Sequence, residues 1–131
     1  MIGLDSNVIL RFITQDDPVQ SPIADSVFET RLTTEQPGFV SVVAMAETAW
    51  VLERRYRLTA SALADALERI LQIETLIVDH EEAVLAAVVA VRTGVGKFGD
   101  ALIAALNEEA RCERTLSFDR GALRLTGFEH P

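Results

Sequence analysis

The chain has 131 residues, a formal net charge of −8 and one cysteine. That length predicts a single domain with a sizeable core, and no run approaches the roughly 18 apolar residues a membrane helix needs. A lone cysteine excludes an internal disulfide and fits a cytoplasmic location, while the acidic balance offers nucleic acid no bulk attraction.

In chain order, Met1–Leu4 predicts a buried strand, with no basic segment ahead of a long apolar stretch that would mark a signal peptide. Asn7–Thr14 predicts a short helix capped by Asp5 or Ser6. Asp16 and Asp17 before Pro18 predict the turn that ends it. Ser21-Pro22 predicts an N-cap followed by proline at the first helical position, opening a helix to about Leu32. Pro37-Gly38 predicts a turn and Phe39-Val40 a strand. Ser41 caps a long helix running past Leu52, and Thr59 caps the next, where Leu63, Leu67, Ile70 and Leu71 share a face. Thr75–Val78 predicts a strand. Glu81–Arg92 predicts a helix closed by Gly94, and Phe98–Glu109 another. Arg114–Phe118 predicts a strand, Gly121–Leu125 a short turn or helix and Gly127–His130 an edge strand. Strands alternating with helices predict a three-layer α/β/α fold with a mainly parallel central sheet.

In such sheets ligands bind beyond the carboxyl ends of the strands. Asp5 follows the first strand, Asp79 the strand LIV and Asp119 the strand TLSF. Asp100 stands near a helix start, and Glu47 sits within the largely apolar stretch SVVAMAETAWVL. A buried glutamate there is costly without a partner. Arg11 is the cation nearest in sequence to Asp5, and Arg120 the nearest to Asp119. Carboxylates with so few cations invite a divalent metal. Each also has a local use: Asp5 as a cap, Asp100 at a helix dipole, Asp119 before a glycine and Asp79 at a strand end as turn residues, and Glu47 as a surface side chain. His80 and His130 are isolated in sequence and read as surface residues, and Cys112 reads as structural.

Taken together, LDSNVILRFITQDDP, SVVAMAETAWVL, FGDALIAALN and TLSFDRGA resemble, in order and across nearly the whole chain, the PIN domain family. The likeness is greatest to VapC-type toxins of bacterial toxin–antitoxin pairs. The resemblance implies a metal-dependent endoribonuclease whose acids are Asp5, Glu47, Asp100 and Asp119, with Asn7 and Ser117 in support. It implies Mg²⁺ or Mn²⁺, one or two ions, and a homodimer neutralised by a cognate antitoxin. One departure is GVGKFGD, where many relatives carry a further acid and this chain has Lys97, which leaves the number of ions open.

The residue types suit that chemistry. Mg²⁺ and Mn²⁺ prefer oxygen ligands, and such an ion lowers the pKa of bound water for attack on phosphorus. In this reading Asp5 and Asp100 are the central ligands, Glu47 orients or deprotonates the water, and Asp119 supports a second, weaker ion. Arg11, Arg54, Arg55, Arg57, Lys97 and Arg120 are the candidate RNA contacts, with ERRYR the one dense basic run and Tyr56 placed to stack a base. Apolar Val8, Ile9, Phe12, Ile13, Val27 and Phe28 suggest surface beyond one core's need, fitting the dimer. Two alternatives remain: a catalytically weak scaffold that binds antitoxin or RNA, and a phosphoryl-accepting α/β domain.

Overall fold

The computed structural model describes residues Met1–Pro131. Its elements are β1 (Ile2–Gly3), α1 (Ser6–Thr14), α2 (Gln20–Ser26), β2 (Gly38–Val40), α3 (Val42–Arg54), α4 (Ala60–Leu71), β3 (Leu76–Val78), α5 (Glu81–Arg92), α6 (Phe98–Glu109), β4 (Thr115–Leu116) and β5 (Phe128–Glu129). The fold is three-layer α/β/α, as expected. The central sheet is all parallel in the order β1-β2-β3, with Gly3 opposite Phe39 and Phe39 opposite Ile77. This order puts the peptides after β1, β2 and β3 along one edge. The Leu4 N–H donates to the Phe39 carbonyl and the Asp79 N–H to that of Val40, both at 2.9 Å.

Local chemistry explains most helix ends. Ser41 Oγ accepts from the Ala44 N–H at 3.1 Å, and Thr59 Oγ1 from the Ala62 N–H at 3.2 Å, each satisfying one orphan donor of a first turn. Gly94 takes φ +73° after α5, a conformation that costs glycine nothing. The apolar faces of the helices meet in a core of 25 buried residues. α4 packs on α5 and α5 on α6, while α3 touches α1, α4 and α6. Arg92 fastens α5 to α4 through Asp65 at 2.8 Å and Glu68 at 2.5 Å.

Several expectations are corrected. Ser21 does not cap α2: Asp17 Oδ1 accepts from the Val19 and Gln20 N–H groups, at 2.9 and 2.6 Å. The Ser21 side chain is instead buried, its hydroxyl donating to the Arg11 carbonyl at 2.8 Å and tying α2 to α1. The helix after it passes into a single wide π turn at Val27–Arg31. Gly38 begins β2 rather than a turn, and a Cβ there would lie 2.8 Å from Leu76 Cδ2 and 3.0 Å from Leu32 and Leu4 Cδ1 atoms, so glycine lets the three leucines close over the middle strand without shifting. The C-terminal strands are shorter than predicted and pair in parallel with each other, outside the central sheet. Cys112 is free and exposed. Much of the apolar surface of α1 and of the helix after it is core: Ile9 and Phe28 are buried, Val8, Phe12, Ile13 and Val27 pack against them, and Phe12 stacks on Phe28 at 3.9 Å. Ile23 of α2 stays exposed beside Val8 and Val27. His80 is on the surface as expected, yet not isolated. It sits 2.7 Å from Glu109 and 3.8 Å from Asp79.

Candidate active site

Asp5 leaves β1 in extended conformation and caps α1, its Oδ1 accepting from the Ser6 N–H at 2.7 Å and from the Ser6 hydroxyl at 3.3 Å. The capping role is real, yet the carboxylate stays exposed and has further lone pairs to offer. Glu47 corrects the expectation of burial. The inward stripe of α3 is Ala44, Met45, Thr48, Ala49 and Leu52. Glu47 lies opposite, on an exposed stripe with Val43, Trp50 and Arg54 at helical spacing. No desolvation cost therefore needs a partner to offset it.

Asp5 and Glu47 open into one cleft of about 560 Å³, together with Asn7, Arg11, Arg55 and Tyr56. Asp100, half-buried in the first turn of α6, lines an adjoining cleft of about 270 Å³ with Glu53, Arg54 and Lys97. The packing of α3 against both α1 and α6 makes the two clefts neighbours. Asp119 lines neither. Its Oδ1 accepts from the Gly121 N–H at 2.7 Å, and its own N–H donates to Ser117 Oγ at 3.0 Å. Asp119, Ser117 and Arg120 thus form a turn after β4.

The cations do not neutralise these acids. Arg11 serves the turn after α1, donating to Gln20 at 2.8 Å and lying 3.5 Å from Asp16 and 3.9 Å from Asp17. The remaining ion pairs are on His80, Arg92 and Arg114, and none involves Asp5, Glu47, Asp100 or Asp119. Two carboxylates of the turn are tuned instead. The Tyr56 hydroxyl, 2.6 Å from Asp16, holds that carboxyl below its ordinary range, helped by Thr14. The Gln20 and Val19 N–H groups do the same for Asp17. Tyr56 is thereby tied by its hydroxyl to α1 and the turn after it, half-buried, with its ring lining the first cleft.

The model of the PIN domain family matches residues 2–128. The chain belongs to the PIN domain family. Among curated proteins no sequence matches it. PIN domains are generally metal-dependent nucleases, and membership leaves the phosphoryl-accepting alternative without support. No helix is long and apolar enough to cross a membrane.

The donor chemistry of this PIN domain fits a hard divalent cation: Asp5 and Glu47 supply unpaired carboxylate oxygens to one open cleft, and Mg²⁺ is commonly held by one or two carboxylates with several waters retained. No group of three His, Cys, Asp or Glu side chains converges on one point, so the fit is to a sparsely ligated, water-rich ion and not to a closed cage. The residue missed from sequence is Trp50, exposed on the stripe between the two clefts. Its helical spacing from Glu47 and Arg54 was the available signal, masked by the apolar neighbours on the opposite face.

Proposed function

We propose that this chain is a Mg²⁺- or Mn²⁺-dependent endoribonuclease of the VapC toxin type, held inactive by a cognate antitoxin and working as a homodimer in the cytoplasm. The observation that carries the reading is the pairing of Asp5 and Glu47 in one open cleft, exposed and free of ion pairs, in a PIN domain. Asp5 and Glu47 would hold the ion, with Asp100 approaching from the neighbouring cleft. The bound ion supplies charge to a phosphoryl oxygen and acidity to water.

The chain's own groups do the rest. Glu47, on an exposed helix face, orients the attacking water and takes its proton as the new O–P bond forms. The bond to the leaving oxygen breaks on the far side of phosphorus, and that oxygen departs as an alkoxide that takes a proton from solvent water. Arg11 and Arg55 at the first cleft, and Arg54 and Lys97 at the second, take up backbone phosphates as point or forked donors. Asn7 offers an amide to the same cleft. Asp119 belongs to a second, weaker ion that substrate completes, with Ser117 shaping its turn and Arg120 beside it.

The test is cleavage of total cellular RNA by antitoxin-free protein in Mg²⁺ or Mn²⁺, beside EDTA and Glu47→Gln controls. Discrete fragments that vanish in both controls are the expected result. Fragments that persist with Glu47→Gln overturn the assigned role. A second reading, a catalytically weak scaffold that binds RNA or antitoxin, draws support from the absence of three converging ligands. It predicts intact RNA in every lane from folded protein.

A further inference from the structure

Trp50 is the one tryptophan of the chain, and 58% of it is exposed. An isolated exposed apolar residue needs no explanation in itself; its position does. Trp50 is the single residue that lines both the Asp5–Glu47 cleft and the Asp100–Lys97 cleft. The Arg54 guanidinium carbon lies 5.9 Å from its ring centroid, within cation–π range. The two clefts that meet at the ring carry Arg11 and Arg55 on one side and Arg54 and Lys97 on the other, against the acids Asp5, Asp16, Glu47, Glu53 and Asp100. With a divalent cation on the acids the local field reverses, and this charged rim then suits a polyanion with flat bases better than an apolar protein face, which needs contiguous apolar area.

We infer that Trp50 is a stacking platform for one unpaired base of the substrate strand, set on the divide between the two clefts. The inference rests on the ribonuclease reading and deepens it. A base can lie on the indole only after leaving its own stack, so the platform selects single strands and loops over duplex. Every base has a π face, so the selection is tolerant of sequence. With the base on Trp50, the phosphates on its two sides run toward Arg11 and Arg55 in one direction and Lys97 in the other. The scissile bond is thereby placed within the reach of Asp5, Glu47 and Asp100. Trp50 acts by positioning and does not touch the reacting atoms.

A lone tryptophan makes the test direct, because the indole emission of the wild-type chain reports Trp50 alone. A short unpaired phosphorothioate RNA and a blunt duplex of the same sequence would be titrated in Mg²⁺, with fluorescence anisotropy of the labelled strand followed in parallel. The expected result is quenching that tracks anisotropy for the unpaired strand. Trp50→Leu should weaken that binding by roughly 30-fold, the middle of the range for one base–aromatic stack. Trp50→Phe should restore most of it, and duplex affinity should stay unchanged. Binding seen by anisotropy without quenching, and equal for Trp50→Leu, overturns the platform while the ribonuclease reading stands. No anisotropy response to any RNA overturns both. Emission that shifts to the blue with protein concentration alone, with sedimentation showing self-association lost in Trp50→Leu, makes the ring a contact between copies and also overturns the platform.

Discussion

Asp5 has two tasks that one substitution separates. As a cap, it needs only an acceptor oxygen 2.7 Å from the Ser6 N–H, which an asparagine amide also supplies. As a ligand, it needs charge, which asparagine lacks. Asp5→Asn should therefore leave stability in EDTA within a few tenths of a kcal/mol of wild type, since the two residues rank equally as caps. Asp5→Ala should cost about 1 kcal/mol, or about 3–4 °C in Tm for a chain of this length. Added Mg²⁺ reverses the order of similarity. At ten times its Kd the ion stabilises wild type by about 1.4 kcal/mol, and both variants should lose most of that gain. The assay is thermal unfolding of the three proteins in EDTA and across a Mg²⁺ titration. A fall for Asp5→Asn in EDTA as large as that for Asp5→Ala would refute the cap. A full Mg²⁺ gain retained by Asp5→Asn would refute the ligand.

Further expectations concern other parts of the chain. Gly38→Ala places a methyl against three leucines between the strands, and such overpacking should cost about 1–3 kcal/mol, read as a lower urea midpoint at unchanged m. Glu47→Gln, on an exposed helix face, should shift stability by no more than about 0.5 kcal/mol yet abolish cleavage, whereas Asp119→Asn, outside both clefts, should slow cleavage less than Asp5→Asn does; equal losses would place Asp119 among the central acids. The hydrogen bond that His80 Nδ1 donates to Glu109, with the nearby charge of Asp79, raises the His80 pKa above its ordinary value against a smaller desolvation effect. Its stabilisation is therefore complete below 6.5 and disappears as pH rises through the higher folded value. The difference in denaturation midpoint between wild type and Glu109→Gln should accordingly be present near about pH 5.5 and gone by about pH 9; a difference that grows with pH would refute the pairing.

Much of the architecture was legible because its causes are local. The limits of α5 and α6 agree with the 3.6-residue pattern, Gly94 closes α5, and Ser41 and Thr59 cap where a hydroxyl precedes an apolar run. The four ordered segments around Asp5, Glu47, Asp100 and Asp119 pointed to the PIN family, and the family match bears that out. What went astray depended on contacts remote in sequence. Ser21 precedes a proline like any N-cap, but its hydroxyl is taken by the Arg11 carbonyl across the α1–α2 packing. Tyr56 sits in a basic run, but Asp16, forty residues away, holds its hydroxyl.

The sequence by itself determined the alternation of strands and helices, the caps and the presence of acids at strand and helix ends, because backbone propensity and side-chain period act over a few residues. Tertiary structure alone decided which acids share space. Glu47 has apolar neighbours on both sides in sequence, and only the docking of Met45, Thr48 and Leu52 into the core turned it outward toward Asp5. The same rotation of α3 left Trp50 bare between two clefts, and the fold of the turn after β4 set the Asp119 carboxylate on the Gly121 N–H. A helix has one inward face, and the sheet it packs on chooses what the opposite face presents.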